Sequence, residues 1–440
     1  MTRHIFRALR PRLLVFSALA VLAVAVAPAS AQEGTTITVD TTSDVADLAG
    51  TQTVADLPGP DGLTSLREAT IASTNTAGPE TIAFDIPTSD PGFDGTGFAI
   101  STAPGAEDLI IGDDGTAVDA TTQPGGFPIT LDGPGLDQVV GLVVASSGNS
   151  VTGLTVRDYA NGIDVSGSDN LITGVTATAN RQGITVDGGL LTATGNEVSD
   201  STVRDNAGSG VFIRSNVGSV VADNTILRNA RGVSILGADD VTLTGNLISE
   251  NTFIGLDFRA ESDFAFVPDP ASRGGVAENN TITANASFGI RVDGADRFTI
   301  TRNVIAGNAL LGIDLSGGRQ DATAVTRNDS RDRDEGANQR LNFPERLSAV
   351  DEGTGTVVEG RVDFPEPQSL TIELFASDVP DPSGHGEGER FVGTATADAR
   401  GRLTATLPGG LAGQWISATS TDAAGNTSEF SEAVEVDVGR

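Results

Sequence analysis

The chain has 440 residues without a cysteine, and 59 Asp and Glu against 27 basic residues, all of them Arg, leave a formal net charge of −32. Such a surface repels nucleic acid and anionic lipid, so neither is expected as a partner. The lack of cysteine excludes disulfides and thiolate metal sites, and the scarcity of histidine excludes a His-dependent triad on the repeats.

The first 31 residues have the pattern of a secretory signal peptide. Four arginines precede an apolar stretch at 13–26, and small residues follow at 29–31. This order is typical of a cleaved export signal. The apolar stretch is short for a membrane span and no second one follows. We therefore expect a secreted or cell-surface protein without a membrane span, and a monomer.

Residues 32–130 are predicted to form an N-terminal cap and the first turns, or rungs, of a solenoid. Alternating residues at 35–40 predict a strand. Ser65 and Glu68 have the spacing of a capping box, which predicts a helix from Leu66 to about Ser73. A helix here would cover the open end of the solenoid, whose exposed edge would otherwise promote aggregation.

A short repeat dominates residues 131–318. Each copy has a glycine, an aliphatic residue, a variable residue and usually a second aliphatic, at intervals of about 22 residues. Copies begin at Gly162, Gly183, Gly210, Gly232, Gly255, Gly289 and Gly312, and Gly141 begins a degraded one. Leucine-rich repeats share this period but need leucine-dominated rungs. Short strands bent at Gly and Asn instead favour a right-handed parallel β-helix, whose rungs bury their apolar face only by stacking.

Asparagines precede most copies of the repeat. They occur at Asn180, Asn206, Asn224, Asn229, Asn246, Asn251, Asn280, Asn285, Asn303 and Asn308. Asn tolerates the left-handed conformation of a sharp corner, and stacked Asn side chains can hydrogen-bond from rung to rung. The pattern predicts a structural Asn ladder with the asparagines at the corners.

The repeat stops after Gly318. Residues 319–346 are predicted to be an acidic connecting loop. From 347 to 440 short alternating segments are separated by Gly, Pro and Asp, which predicts an immunoglobulin-like β-sandwich with Trp415 in its core. The predicted fold class is therefore all-β, with a cap, a β-helix and a sandwich.

Several stretches resemble the CSLREA-domain proteins. The first is Leu63–Ala69, in which Thr64 stands where that family usually has Cys. Similar segments are Ala120–Gly125, Asn328–Asn338, Asn342–Pro344 and Ala418–Phe430. The resemblance implies a bacterial exported or cell-surface β-helix protein, in a family whose function is often unassigned.

The outward positions of the last three copies of the repeat carry charged residues. Rungs lie roughly 4.8 Å apart and alternate residues roughly 6.7 Å apart, so Asp257 and Asp293 should lie about 8 Å apart. That separation suits the acid and base of an inverting glycosidase. Asp314 should lie beside Arg291, and Arg259 beside Asp293. The insertion after Arg259 could form the wall of a groove with Asp263, Phe264 and Phe266.

Two interpretations of these charges stay open. In one, Asp257, Asp293 and Asp314 with Arg259 and Arg291 form the catalytic site of a polysaccharide hydrolase or lyase, an analogy with other β-helix enzymes. In the other, the alternating signs are cross-strand ion pairs that need no substrate. The second favours a non-catalytic scaffold that binds polysaccharide or a surface protein.

The acidic loop offers a candidate Ca²⁺ site. Asp329, Asp332, Asp334 and Asn338 present oxygen ligands at short spacing around Gly336. The spacing is not that of an EF-hand, because Phe343 occupies the position of its closing Glu. The alternative is a solvated acidic loop without an ion.

Overall fold

The computed structural model describes residues 34–48, 50–189, 192–259, 273–321 and 323–439. The predicted signal segment and the side chains of Asp263, Phe264 and Phe266 lie outside these ranges. Residues Gly34–Arg440 form one compact unit. Within the described ranges, no helix has both the length and the apolar character needed to cross a bilayer.

Three long parallel sheets confirm the predicted right-handed β-helix. Sheet 1 has ten strands, Thr35–Val39, Glu80–Phe84, Ala117–Asp119, Ser150–Thr152, Leu171–Thr173, Glu197–Ser199, Val220–Ala222, Val241–Thr244, Gly275–Glu278 and Thr299–Thr301. Sheet 2 has nine, Phe98–Ser101, Ile129–Asp132, Thr155–Arg157, Thr176–Thr178, Thr202–Arg204, Thr225–Leu227, Leu247–Ser249, Thr281–Thr283 and Val304–Ala306. Sheet 3 also has nine, Ile110–Ile111, Leu142–Val144, Asn161–Val165, Gln182–Asp187, Ser209–Arg214, Arg231–Leu236, Leu256–Arg259, Ile290–Asp293 and Ile313–Leu315. A small side sheet pairs Ala193–Thr194 with Asn216–Val217.

Sheet 3 contains the glycine repeat. Its aliphatic residues stack in register, so that Ile184 pairs with Val211 and Val211 with Val233, and all three are fully buried. The glycines are needed for close packing between rungs. A Cβ at Gly183 would lie only 2.4 Å from the carbonyl oxygen of Gly210. The glycine therefore repeats because any side chain would collide with the backbone of the next rung.

The predicted Asn ladder is confirmed. Asn206 donates from its backbone and its side chain to Oδ1 of Asn229, at 3.1 and 2.9 Å, and Asn229 donates in the same way to Asn251. A second ladder passes through Asn224, Asn246, Asn280 and Asn303. The ladder side chains are buried and satisfy the backbone at the corners inside the solenoid.

The corner conformation belongs to a different residue from the one predicted. The residue before each ladder asparagine takes the positive φ, as at Asp205, Arg228 and Glu250, with φ of 58°, 52° and 56°. The asparagine itself stays in the ordinary region because its side chain has to point inward to reach the next rung. The corner position then tolerates a polar exposed residue.

A helix at Leu66–Asn75 lies at the N-terminal end of the solenoid, as predicted. Ser65 accepts a hydrogen bond from the Glu68 amide, and Glu68 accepts one from the Ser65 amide, which completes the capping box. Leu66 and Ala69 are fully buried in the core of the solenoid. Short 3-10 helices occur at Val54–Asp56, Ala120–Thr122, Pro124–Gly126, Ala337–Arg340 and Pro367–Ser369.

The C-terminal residues form a nearly closed mixed sheet of seven strands. In spatial order these are Arg390–Thr396, Thr371–Ser377, Trp415–Thr421, Val434–Val438, Glu345–Asp351, Gly355–Arg361 and Arg402–Pro408. Two groups of strands meet at Val434–Val438 and enclose one apolar core. Trp415 was predicted in that core, and this was wrong: it is half-buried, because strand alternation turns Ile416 and Ala418 inward instead.

The C-terminal domain closes the last rung of the solenoid. Glu373 accepts a hydrogen bond from the Arg302 amide, and Glu429 accepts bonds from the amides of Leu315 and Thr326. Burial raises the pKa of Glu429 to about 8. The two carboxyl groups thus accept hydrogen bonds from backbone N–H groups of the last rung, at Arg302 and Leu315, which protects the exposed edge.

Candidate functional site

The charged residues predicted on the outer face of sheet 3 lie in the expected register. Asp257 pairs with Arg291 across neighbouring strands, and Arg291 pairs with Asp314. In the next column Arg259 pairs with Asp293. The adjacency inferred from the repeat is therefore confirmed at the level of the backbone. The side chains, however, do not form a simple row of ion pairs with alternating charge.

Asp257 is the centre of a cluster of three arginines. Its Oδ1 lies 2.9 Å from Nη2 of Arg291, and its Oδ2 lies 3.1 Å from Nε of Arg231 and 3.3 Å from Nε of Arg259. Nε of Arg291 also donates to Oδ1 at 3.0 Å. The Asp257 side chain is 0% exposed, although it lies on the outer face of the sheet. We call Asp257 with Arg231, Arg259 and Arg291 the arginine cluster.

Arg231 was not predicted as a site residue. It lies just before Gly232, outside the variable positions that were compared rung by rung. Its guanidinium carbon is 5.1 Å from the ring centroid of Phe253, a residue that is 39% exposed. An arginine immediately before a repeat glycine, next to the rung of Asp257, was the available signal. The proximity of Phe253 depends on the path of the loop before Leu256 and has no sequence signature.

Asp293 and Asp314 differ in their surroundings. Asp293 is exposed, whereas Asp314 is 2% exposed and accepts hydrogen bonds from Oγ of Ser316 and Nε2 of Gln320, both at 3.2 Å. Burial raises the pKa of Asp314 to about 6, against the opposing effects of Ser316 and Arg291. Asp314 is therefore a carboxyl group that can carry a proton near neutral pH.

Three of the four predicted calcium ligands converge. Asp329, Asp332 and Asp334 are half-buried, and each offers a carboxylate oxygen within 4.8 Å of the others. Burial raises the pKa of Asp332 to about 7, helped by the charges of Asp329 and Asp334. Asn342 donates its amide to Oδ1 of Asp332 at 2.7 Å. The cluster concentrates negative charge that a hard cation could neutralise.

Asn338, the fourth predicted ligand, is bound elsewhere. Its Nδ2 donates to the carbonyl oxygens of Phe298 and Thr427, and its Oδ1 accepts from the Phe298 amide at 2.9 Å. The side chain is fully buried. It connects the last rung of sheet 1 to the C-terminal domain, which leaves the three aspartates as the candidate ligands.

A cavity of about 540 Å³ lies where the acidic loop meets the C-terminal domain. Its lining includes Phe343, His385, Arg327 and Glu432. The His385 ring stands edge-on to Phe343, with centroids 5.2 Å apart, and its Nδ1 lies 3.0 Å from the Phe430 carbonyl oxygen. Through these contacts His385 packs at the junction between the acidic loop and the C-terminal domain.

A family described as periplasmic copper-binding protein (NosD) matches residues 134–265. The match covers the middle rungs of the solenoid and leaves most of the chain outside it. The matched residues contain no Cys, His or Met, the side chains that copper sites use most. They therefore do not fit a copper site. No curated protein matches this sequence.

Solved structures similar to this chain are parallel β-helices. A mutant of the periplasmic alginate epimerase AlgG is 13% identical with a TM-score of 0.36, over 52% of this chain and 51% of that one. The Azotobacter vinelandii mannuronan C-5 epimerase AlgE4 A-module is 17% identical with a TM-score of 0.36, over 57% and 93%. An alginate lyase from Paenibacillus sp. str. FPU-7 is 15% identical with a TM-score of 0.36, over 55% and 94%. This chain thus spans about half the length of the first of them. At identities and TM-scores as low as these, the comparison gives no information about the activity of this chain.

Proposed function

We propose that this chain is an exported β-helix protein that binds a polysaccharide on the outer face of sheet 3 and does not turn it over. The arginine cluster is the observation that carries the proposal. Its cationic side chains are partly exposed, and one of them, Arg231, lies beside the exposed Phe253 on a face built from stacked strands. A regular lateral face of this kind suits an extended polymer, because equivalent positions recur at each rung.

The surroundings of Asp257 favour binding over catalysis. Both of its carboxylate oxygens contact guanidinium groups, and the side chain is fully buried. A catalytic carboxyl group has to reach the substrate with an accessible oxygen. Asp257 offers none while the arginines surround it, so we assign it to holding the arginines in place.

A hydrolase or lyase is the second candidate. It is favoured by Asp314, whose pKa burial raises to about 6, and by exposed Asp293 on the neighbouring strand. In that case Asp314 would be the acid and Asp293 the base. The contacts of Asp257 mean that this pair would have to work without it.

Export is supported by two features. The N-terminal segment has the basic, apolar and small-residue order of a signal peptide. The family that matches residues 134–265 is described as periplasmic. An exported protein has access to extracellular glycans, and its formal net charge of −32 disfavours binding to nucleic acid.

The proposal is tested by presenting the purified protein with a panel of neutral and acidic polysaccharides. Binding is measured by affinity electrophoresis and turnover by reducing-end and unsaturated-sugar assays. We expect retention on at least one polysaccharide and no product. Product formation that is lost in Asp314→Asn, but not in the exposed control Asp437→Asn, would establish the enzyme instead. No retention on any member of the panel would remove the binding proposal.

A further inference from the structure

We infer that the polysaccharide is acidic and that one of its carboxylate or sulfate groups binds between Arg231 and Arg291. This inference rests on the proposed function and adds the chemical class of the ligand. It is drawn from the hydrogen-bonding capacity that the arginine cluster leaves over, from the distribution of charge around it, and from the ring beside it.

Two of the arginines keep donors that Asp257 does not use. Arg231 contacts Asp257 through Nε alone, so its two Nη groups make no hydrogen bond to a described residue. Arg291 uses Nε and Nη2, which leaves Nη1 without a hydrogen bond within the described ranges. Their side chains are 32% and 19% exposed. Guanidinium groups held in this way can each donate to a carboxylate or sulfate.

The cluster has a surplus of positive charge. The guanidinium groups of Arg231 and Arg291 share the carboxylate of Asp257, in a chain whose formal net charge is −32. A buried carboxylate of this kind orders the two arginines, and it balances only one of them. The site is therefore a local cationic position on an acidic protein.

The neighbouring rungs decide on which side an anion fits. Towards the C-terminal end, Asp293 pairs in register with Arg259, and Asp314 pairs with Arg291. Towards the N-terminal end, the column of Asp257 continues with Ser234 and Phe212, which are uncharged. An anionic group is therefore expected on the Arg231 side of the cluster, away from the two aspartates.

Phe253 suits a sugar ring on the same side. Its ring is exposed and is held by the contact with Arg231. An aromatic face packs against the apolar C–H face of a pyranose, while a neighbouring arginine binds a substituent of that sugar. An acidic sugar can pair its charge with the arginine while it packs against the ring, whereas a neutral sugar offers the arginine only weaker hydrogen bonds to hydroxyl groups.

The negative charge of the rest of the protein does not prevent such binding. At an ionic strength of about 0.15 M, charges more than about 8 Å apart are largely screened in water. Direct guanidinium contacts at hydrogen-bond distance persist under those conditions. On the other faces of the solenoid, carboxylates close to an anionic chain would repel it at short range.

The experiment compares polygalacturonate, dextran sulfate and neutral dextran of similar length, by calorimetry at physiological ionic strength. The variants are Arg231→Gln, Arg231→Lys and Phe253→Ala, and Arg157→Gln is the control. Arg157 also forms a cross-strand ion pair, with Asp132 on sheet 2, outside the cluster. Urea denaturation of each variant establishes that it is folded.

We expect an acidic polymer to bind and dextran to bind at least about tenfold more weakly, with Arg231→Gln losing about tenfold and Arg231→Lys less. Binding of dextran sulfate alone would identify the anion as sulfate and supports the inference. Equal affinity for dextran, or no effect of Arg231→Gln in a folded protein, would overturn the inference and leave the proposed function standing. If no polymer binds, both fail.

Discussion

Oδ1 of Asp257 lies 2.9 Å from Nη2 of Arg291 on the neighbouring strand, and the Asp257 side chain is 0% exposed. Asp257 is thus a buried charge on the outer face of a sheet, covered in part by the arginines that neutralise it. Loss of such a carboxylate leaves several guanidinium groups close together without their counter-charge. The stability of the last rungs and the order of the arginine cluster consequently depend on the same side chain.

Asp257→Ala is expected to lower the free energy of unfolding by about 3–5 kcal/mol, because removal of one partner leaves buried charge uncompensated. Urea denaturation measures the loss. Asp205→Ala is the matched control: Asp205 contacts Arg204 and Arg228, but its side chain is 35% exposed. Its loss should be much smaller, since water screens the pair. If both variants lost the same free energy of unfolding, the burial of Asp257 would not increase its contribution to stability.

Asn229→Ala should destabilise the protein by about 1–3 kcal/mol, since it leaves buried polar groups of the ladder without partners. Nδ2 of Asn229 donates to Oδ1 of Asn251 and to the Val203 carbonyl oxygen, and its Oδ1 accepts from Asn206. Asn161→Ala is the control, because that side chain is only half-buried and, among the described residues, hydrogen-bonds only to Asp164. Chemical denaturation compares the two. A variant at Asn229 as stable as the control would show that the ladder is not a source of stability.

The closure of the last rung by Glu429 should depend on pH. Its pKa rises from an ordinary value of 4.5 to about 8, mainly because the side chain is buried. The folded protein therefore holds a proton that the unfolded chain releases. The stabilising contribution is complete below about pH 4.5 and is lost as pH rises through about 8.

Differential scanning calorimetry between pH 5 and 9 tests this, with the unfolding temperature falling across the range. Glu429→Gln removes the titration and should flatten the profile, while losing one of the two acceptor contacts. Glu435→Gln, on an exposed part of the last strand, should keep the native slope. A slope that is unchanged in Glu429→Gln would assign the pH dependence to other carboxyl groups.

The predicted Ca²⁺ site stays a prediction, now confined to Asp329, Asp332 and Asp334. A cation there would relieve the repulsion that helps to raise the pKa of Asp332 to about 7. Millimolar Ca²⁺ should raise the unfolding temperature by a few degrees through preferential binding to the folded state. Asp332→Asn should abolish the shift and Asp437→Asn should not. Absence of calcium uptake in calorimetry would mean a solvated acidic loop.

The repeat was enough to predict most of the solenoid. Alternating aliphatics such as Ile184 and Val186 have to face one side of a strand, and a fixed interval has to stack them, so period and pattern together specify the rung. The helix after Ser65 was equally predictable, because a capping box depends on two residues that are only three positions apart in the sequence. Local chemistry of this kind is contained in the sequence.

The sequence pattern was less informative in the C-terminal domain. The strands Glu345–Asp351 and Val434–Val438 were not predicted, although the second joins the two groups of strands. Trp415 was assigned to the core but is half-buried. Which face of a strand is buried depends on partners far away in the chain, and those partners are known only from the tertiary structure.

By itself, the sequence determined the β-helix, its register and the adjacency of Asp257 with Arg291, because these follow from a short interval repeated along one sheet. Only the tertiary structure decided that Asp257 is buried, that Arg231 reaches it and that Phe253 lies beside that arginine. The direction of a side chain and the path of a loop between rungs do not repeat along the sequence, so the repeat does not predict them. The elements of the candidate site were therefore predictable, but its composition became visible only in three dimensions.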